Sequence, residues 1–200
     1  VTVVPSVVSY VHKHTAAHPR PWLVLGKGPT AERMSDLDTS KYHFLTLNHA
    51  CRLVVPDVAH FVDIEAYNDC AAYLDTVLQA RVCLPWHPHV GNRAAKPDLL
   101  QYGIPDRRLV SYNATTAGKL SRMPGLPTVR LRFFSAVAAF NILGHAGVRE
   151  VYSLGVDGGT AYAPAFDHKD KLRNGRDTFD DQFGEIEYAV KSHKLNWTKL

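Results

Sequence analysis

A parallel α/β sheet with helices on both faces, Rossmann-like and in one domain, is the fold class predicted by three observations. Strand-length apolar runs alternate with segments of helical periodicity along the 200 residues. The connections between runs are long enough to cross over a sheet, as parallel strands require. The first run, Trp22-Leu23-Val24-Leu25-Gly26, is apolar without alternation, as in a strand covered on both sides.

The elements follow in order. Val1 to His14 reads as a leader strand or helix belonging to the fold: no basic stretch precedes its apolar residues and no small-residue cleavage pattern follows. After Gly26 come a glycine turn and a short helical stretch, Thr30 to about Asp38. His43-Phe44-Leu45-Thr46-Leu47-Asn48 is the second strand and Ala59 to Asp63 the third. Ala66, Cys70, Tyr73, Leu74, Val77 and Leu78 recur at helical spacing, so Glu65 to Ala80 is a helix. Arg81-Val82-Cys83-Leu84-Pro85 is a fourth strand. Residues 86–127, rich in Pro, Gly, Asn and Arg, read as an irregular insertion. Ser135 to His145 is a buried helix with Ser135 as its N-cap and Gly147 as its stop. A fifth strand spans Glu150 to Asp157, a polar segment Gly158 to Asp181, and a last helix Gln182 to His193.

Composition excludes several classes. Hydrophobic residues at 46% and charged residues at 21% are those of a folded domain, so a collagen-like, coiled-coil or disordered chain is ruled out. Lys plus Arg is 23 against 19 for Asp plus Glu, a surplus of +4 that is not gathered into a run. That argues against a dedicated nucleic-acid binder and suits a small anionic ligand. Three cysteines with no C-x-x-C spacing give neither a disulfide framework nor a structural zinc site, which fits a reducing compartment. No apolar run approaches the ~20 residues of a membrane span.

Gly26-Lys27-Gly28-Pro29-Thr30-Ala31 is the strongest local signal. Glycines at a strand end let backbone N–H groups approach an anion, with a helix start behind them. The pattern satisfies G-x-G-x-x-A, yet Asn48 stands where a dinucleotide fold places an acidic residue. No Walker A loop occurs. Asn48-His49, Asp63 and Asp157 put polar side chains at strand ends, where open parallel sheets bind ligands. Arg132-Phe133-Phe134-Ser135 opens the buried helix, and Arg132 has the donor fork that suits a carboxylate or phosphate. His87-Pro88-His89 has the look of a metal clip, but two His in a Pro-containing loop are more often simply exposed.

Together these segments resemble the bacterial sialyltransferases of glycosyltransferase family 42 and their wider sialyltransferase-like group, a GT-A-type variant of the fold. The matching pieces are Gly26-Lys27-Gly28-Pro29-Thr30, Leu47-Asn48-His49, Arg132-Phe133-Phe134-Ser135, Leu154-Gly155-Val156-Asp157 and Tyr162-Ala163-Pro164-Ala165-Phe166-Asp167. The resemblance covers residues 22–70 and 130–195. It implies transfer of a nonulosonic or related acidic sugar, sialic acid-like or Kdo, from a CMP-activated donor to a saccharide or glycolipid acceptor in bacterial surface polysaccharide synthesis. Gly26, Lys27, Gly28, Pro29 and Thr30 would hold the phosphate. Asn48, Ser135 and Asp157 would contact cytidine or its ribose, with His49, Asp63 and Gly158 alongside. Arg132 would face the acidic part of the donor. Tyr162 would hydrogen-bond the leaving phosphate in place of a metal ion, so no cofactor is expected. The implied setting is cytoplasmic, at the inner face of the membrane, with room for peripheral membrane association and a homo-oligomer and no nucleic-acid partner.

Two departures shape the expected chemistry. Gly158-Gly159 replace the family's aromatic residues after the Asp, and Asn174 to Gln182 lacks the family's basic His. His168, Asp177 and Asp180 are the substitutes, provided a carboxylate is buried enough to act as a base. Asp157 is the first candidate for the nucleophile of a retaining double displacement, for which Kdo-transferring relatives offer the precedent. Two other functions fit the same residues: a pterin diphosphokinase-like nucleotide enzyme and a noncatalytic module of a larger assembly enzyme. The length favours a small family member or one module of a longer transferase.

Overall fold

Eight strands form a single all-parallel sheet in the order β6-β5-β4-β3-β2-β1-β7-β8. The computed structural model describes residues 4–90, 97–104, 106–115, 121–132, 134–166 and 178–200. The elements are α1 (Val7–Ala17), β1 (Trp22–Leu25), β2 (His43–Leu47), β3 (Val58–His60), α2 (Ile64–Thr76), β4 (Arg81–Pro85), β5 (Leu109–Ala114), β6 (Thr128–Val129), α3 (Ser135–His145), β7 (Glu150–Leu154), α4 (Gln182–His193) and β8 (Asn196–Lys199). Among the described residues no helix is long and apolar enough to cross a membrane.

Strand periodicity sorts the core into two layers. Trp22 and Val24 of β1 pack with α1, α3 and α4 through Val11, Phe140 and Ile186. Leu23 and Leu25 point the other way, toward Ala31, Met34 and Phe44. On that second face α2 covers Ala59 and Val82 with Cys70 and Leu74. Helices on both faces are what the unbroken apolar run of β1 requires.

The boundaries carry physical reasons. Ser6 caps α1, its Oγ accepting from Ser9 N at 3.2 Å. Gly147, at φ +80°, lets the chain leave α3. The short helical stretch expected after the glycine turn, Thr30 to about Asp38, is a 3-10 helix over Pro29–Asp36, wound tighter than an α-helix. Two expectations are corrected. Phe134 takes the N-cap position of α3, so Ser135 is the first helical residue and its hydroxyl is turned to other use. The supposed irregular insertion at 86–127 contains β5, six buried residues paired with β4 from Val82↔Leu109 to Pro85↔Tyr112. The polar residues of β5 are satisfied internally: Ser111 Oγ donates to Leu84 O at 2.7 Å, and Asn113 Nδ2 donates to Met123 O and Leu126 O at 3.0 Å. The chain also continues past α4 into an edge strand, β8, in register with β7 at Val151↔Trp197.

The strand order fixes where a ligand can sit. From β1 the chain steps outward through β2 to β6, then returns to place β7 on the other side of β1. The crevice at the C-terminal ends of β1 and β7 is thus a topological switch point, the usual ligand position in such sheets.

Candidate functional site

The glycine turn and Asp157 meet at that switch point. Gly26 N donates to Leu154 O at 2.8 Å and Gly28 N to Gly155 O at 2.8 Å, which carries β1–β7 pairing into the turn. A Cβ at Gly26 would lie 2.2 Å from Gly155 O, and one at Gly28 would lie 2.5 Å from Asp157 Oδ2. Only glycine admits this approach. Asp157 closes the turn: Thr30 N donates to its Oδ2 at 2.8 Å, and Thr30 Oγ1 lies 2.9 Å from both carboxylate oxygens. Thr30 Oγ1 also accepts from Gly155 N at 2.8 Å. Three N–H groups expected to cradle a phosphate, Gly26 N, Gly28 N and Thr30 N, thus donate within the protein. Positive charge at the turn comes from Lys27, whose Nζ sits 4.7 Å over the Tyr162 ring. Tyr162 is held there by Ala163 N, which donates to Lys27 O at 2.8 Å, and by edge-on contact with Phe179.

Asn48 and Ser135, 87 residues apart, meet across the crevice: Asn48 Nδ2 donates to Ser135 Oγ at 3.4 Å. Asn48 Oδ1 is enclosed without a hydrogen-bond partner among the described residues, a costly state unless a ligand supplies a donor. Asn48 and Arg132 have φ of 51° and 46°, the left-handed region that non-glycine residues seldom enter. Such conformations gather at functional sites. Arg132 stands at the foot of α3, its Nε 3.7 Å from Glu185 of α4, while Arg130 grips the same carboxylate at 2.6 and 3.0 Å.

Two histidine–carboxylate pairs line the neighbouring strand ends. His49 Nε2 lies 3.2 Å from Asp69 Oδ2; burial lowers the His49 pKa, and the Lys27 charge lowers it further. His89 Nδ1 lies 2.7 Å from Asp63 Oδ1. A carboxylate only accepts, so Nδ1 carries the hydrogen and Nε2 is the ring's acceptor. The backbone clamps this pair, with His89 N donating to Val62 O at 2.9 Å and Ile64 N to His89 O at 3.0 Å. Burial pushes the Asp63 carboxyl above the usual carboxylate range, with His89 the larger of the opposing influences and Lys27 a lesser one. His87 turns away, to Pro97 O and Ser121 O, so His87 and His89 form no metal clip.

Gly158-Gly159 are shaped around Asp180. A Cβ on Gly158 would lie 1.9 Å from Asp180 Oδ1, and Gly159 N donates to that oxygen at 2.9 Å. This hydrogen bond, with the one from Thr178, holds the Asp180 carboxyl below its usual pKa, the wrong direction for a base. Gln182 Nε2 donates to Asp157 O at 3.0 Å and ties α4 to the strand end. His168 and Asp177 lie outside the described residues. Beside the turn, a cavity of ≈ 340 Å³ opens between Ala31, Met34, Ser35, Leu53, Ala163 and Ala165.

The structure therefore joins Gly26, Gly28 and Thr30 to Asp157, Lys27 to Tyr162, and Asn48 to Ser135. It sets Arg132 on Glu185 and does not bond it to any of these. The sequence offered His89 only as half of the His87-Pro88-His89 clip; its pairing with Asp63 makes it a functional candidate of a different kind. Comparison of the chain with family models, with curated proteins and with solved structures finds no match. What the fold and site define is a Rossmann-like α/β chain with a crevice at its switch point.

Proposed function

We propose that this protein is a glycosyltransferase that moves an acidic sugar from a CMP-activated donor to a saccharide or glycolipid acceptor, in the manner of the sialyltransferase-like enzymes. One observation carries the reading. Motifs that resemble that family and lie far apart in the sequence meet in pairs at the C-terminal ends of the strands, Thr30 with Asp157 and Asn48 with Ser135.

In this mechanism Lys27 and Tyr162 meet the phosphate of the donor and stabilise charge developing on CMP. Asn48 Oδ1 accepts from a nucleoside donor group, which removes its unpaired state. His89 Nε2 takes the proton of the acceptor hydroxyl, and Asp63 steadies the imidazolium. The acceptor oxygen bonds to the anomeric carbon as the bond to the phosphate breaks, and CMP departs with that electron pair. The outcome is inversion. Asp157 is left out of the covalent chemistry, because both its oxygens are engaged by Thr30. Its part is to lock the turn.

Titration with CMP while following Tm tests the reading. The expected result is a rise that grows with the logarithm of CMP concentration, about 2.7 kcal/mol of stabilisation at a hundredfold excess over Kd. No rise at millimolar CMP, with ATP raising Tm instead, would overturn it in favour of a different nucleotide enzyme.

A further inference from the structure

A second constellation lies at the opposite end of the sheet from the crevice. His14 comes from the last turn of α1, His43 is the first residue of β2, and Asp57 immediately precedes β3. Their donor atoms all lie within 4.8 Å of one another. His14 Nε2 is 2.8 Å from Asp57 Oδ1 and 3.2 Å from His43 Nδ1, and His43 Nδ1 is 3.6 Å from Asp57 Oδ2. Four ligands at zinc–nitrogen and zinc–oxygen bond lengths of about 2.0–2.1 Å stand about 3.3–3.4 Å apart at tetrahedral angles. The observed separations bracket that value.

The surroundings orient the ligand atoms toward a common point. His43 is fully buried, and its Nε2 lies 2.6 Å from His18 O. A carbonyl only accepts, so Nε2 carries the hydrogen and the Nδ1 lone pair faces His14 and Asp57. This is the outer hydrogen bond that metal-binding imidazoles use to fix their tautomer. Phe44 N donates to Asp57 Oδ2 at 2.8 Å and fixes the carboxylate in turn. His14 and Asp57 keep 22% and 23% of their side-chain surface exposed, so the cluster opens to solvent on one side. Tyr10 stacks on His14 at 5.4 Å, the His18 ring lies edge-on at 5.5 Å, and Arg81 sits over the Tyr10 ring.

We propose that His14, His43 and Asp57 form a binding site for one divalent transition-metal ion of the zinc class, with the fourth position open to water, pinning α1 to the N-terminal edge of the sheet. Binding moves the hydrogen of His14 Nε2 to Nδ1 or to solvent, and the cation takes its place between His14 and Asp57. Two imidazoles and one carboxylate favour zinc or cobalt over magnesium or calcium, which prefer an all-oxygen shell. The site is independent of the transferase reading.

Cobalt(II) titration of the metal-stripped protein tests it, followed by visible absorption. The expected result is an intense tetrahedral band that saturates at one equivalent and is displaced by Zn²⁺. His14→Ala should abolish the band and weaken metal binding by more than the roughly 10–100-fold that even an outer hydrogen-bond partner is worth. His145→Ala should leave both unchanged, which separates this site from the other histidines of a chain that has 11. Should His14→Ala fail to fold, long-range ¹H–¹⁵N spectra of the wild-type rings give the second reading, with the His14 and His43 nitrogens shifting at one equivalent of Zn²⁺. A weak octahedral cobalt spectrum, persistence of the band in His14→Ala, or ring shifts confined to other histidines would overturn the proposal.

Discussion

Gly28 shows how far a single atom is constrained at this site. An added Cβ would lie 2.5 Å from the Asp157 carboxylate that Thr30 depends on. Gly28→Ala should therefore destabilise by about 1–3 kcal/mol, as overpacking does, and weaken CMP binding as the turn shifts; urea unfolding and the CMP titration read the two effects. His89 gives a different signature. His89→Gln should lower transfer kcat by about 10²–10⁴-fold with little change in CMP affinity, because the base acts on the acceptor and not on the nucleotide. Equal losses in both would move His89 into nucleotide binding. His60 carries a pH prediction. Burial holds its imidazole down to a pKa of about 3, beside Tyr112 Oη at 2.9 Å. The unfolded chain, with an ordinary pKa near 6.5, takes a proton that the native state refuses. Stability is unaffected above that value and falls as pH drops through the window from about 6.5 to about 3. From about pH 7 to about pH 5 the loss should be about 2 kcal/mol. In His60→Asn this contribution to the pH dependence should disappear.

At the scale of elements, competing effects can be ranked by size. Gly144 sits inside α3, where Ala would favour the helix by about 1 kcal/mol. A Cβ there would lie 2.3 Å from the His193 ring of α4, which bonds Asn141 Oδ1 at 3.2 Å. Displacing that ring costs about 1–3 kcal/mol and the bond, so Gly144→Ala should lower the urea midpoint. A higher midpoint would mean that α4 yields freely. The same elements show what sequence can reveal. Ser135–His145, Gln182–His193 and Arg81–Pro85 have the limits their apolar periodicity predicts, because each buries a face that only one register can bury. The strand β5 is hidden because Ser111 and Asn113 look like loop residues until their carbonyl partners from other segments are known. The edge strand β8 is hidden for a related reason: Trp197 alone packs partly inward, against Phe140 and with Nε1 donating to Ser153 Oγ at 2.9 Å, while its other side chains stay exposed.

For the whole molecule, the sheet separates two chemistries. The proposed nucleotide site lies at the C-terminal strand ends and the histidine–aspartate cluster at the N-terminal ends, with the five residues of β2 between, about 16 Å of strand. CMP and Zn²⁺ should therefore stabilise additively, which a melting series with each alone and with both together would check. Strong non-additivity would mean that the ends of β2 are coupled. The glycine turn and the strand-end Asp157 were legible because strand ends and turns are written locally. The His89–Asp63 pair and the His14–His43–Asp57 cluster were not, since each assembles only when distant strands come into register. The latch between Thr30 and Asp157 has one further consequence, for the order in which the chain is made. Its partners are 127 residues apart. At translation rates of roughly 5–20 residues per second, β1 and its turn wait roughly 6–25 s for the residue that locks them. The strands from β1 to β5 can pair in the order they emerge, each against the last. The locked turn needs every residue through Asp157, so a nascent or truncated product ending before Asp157 would hold most of the sheet and no locked turn.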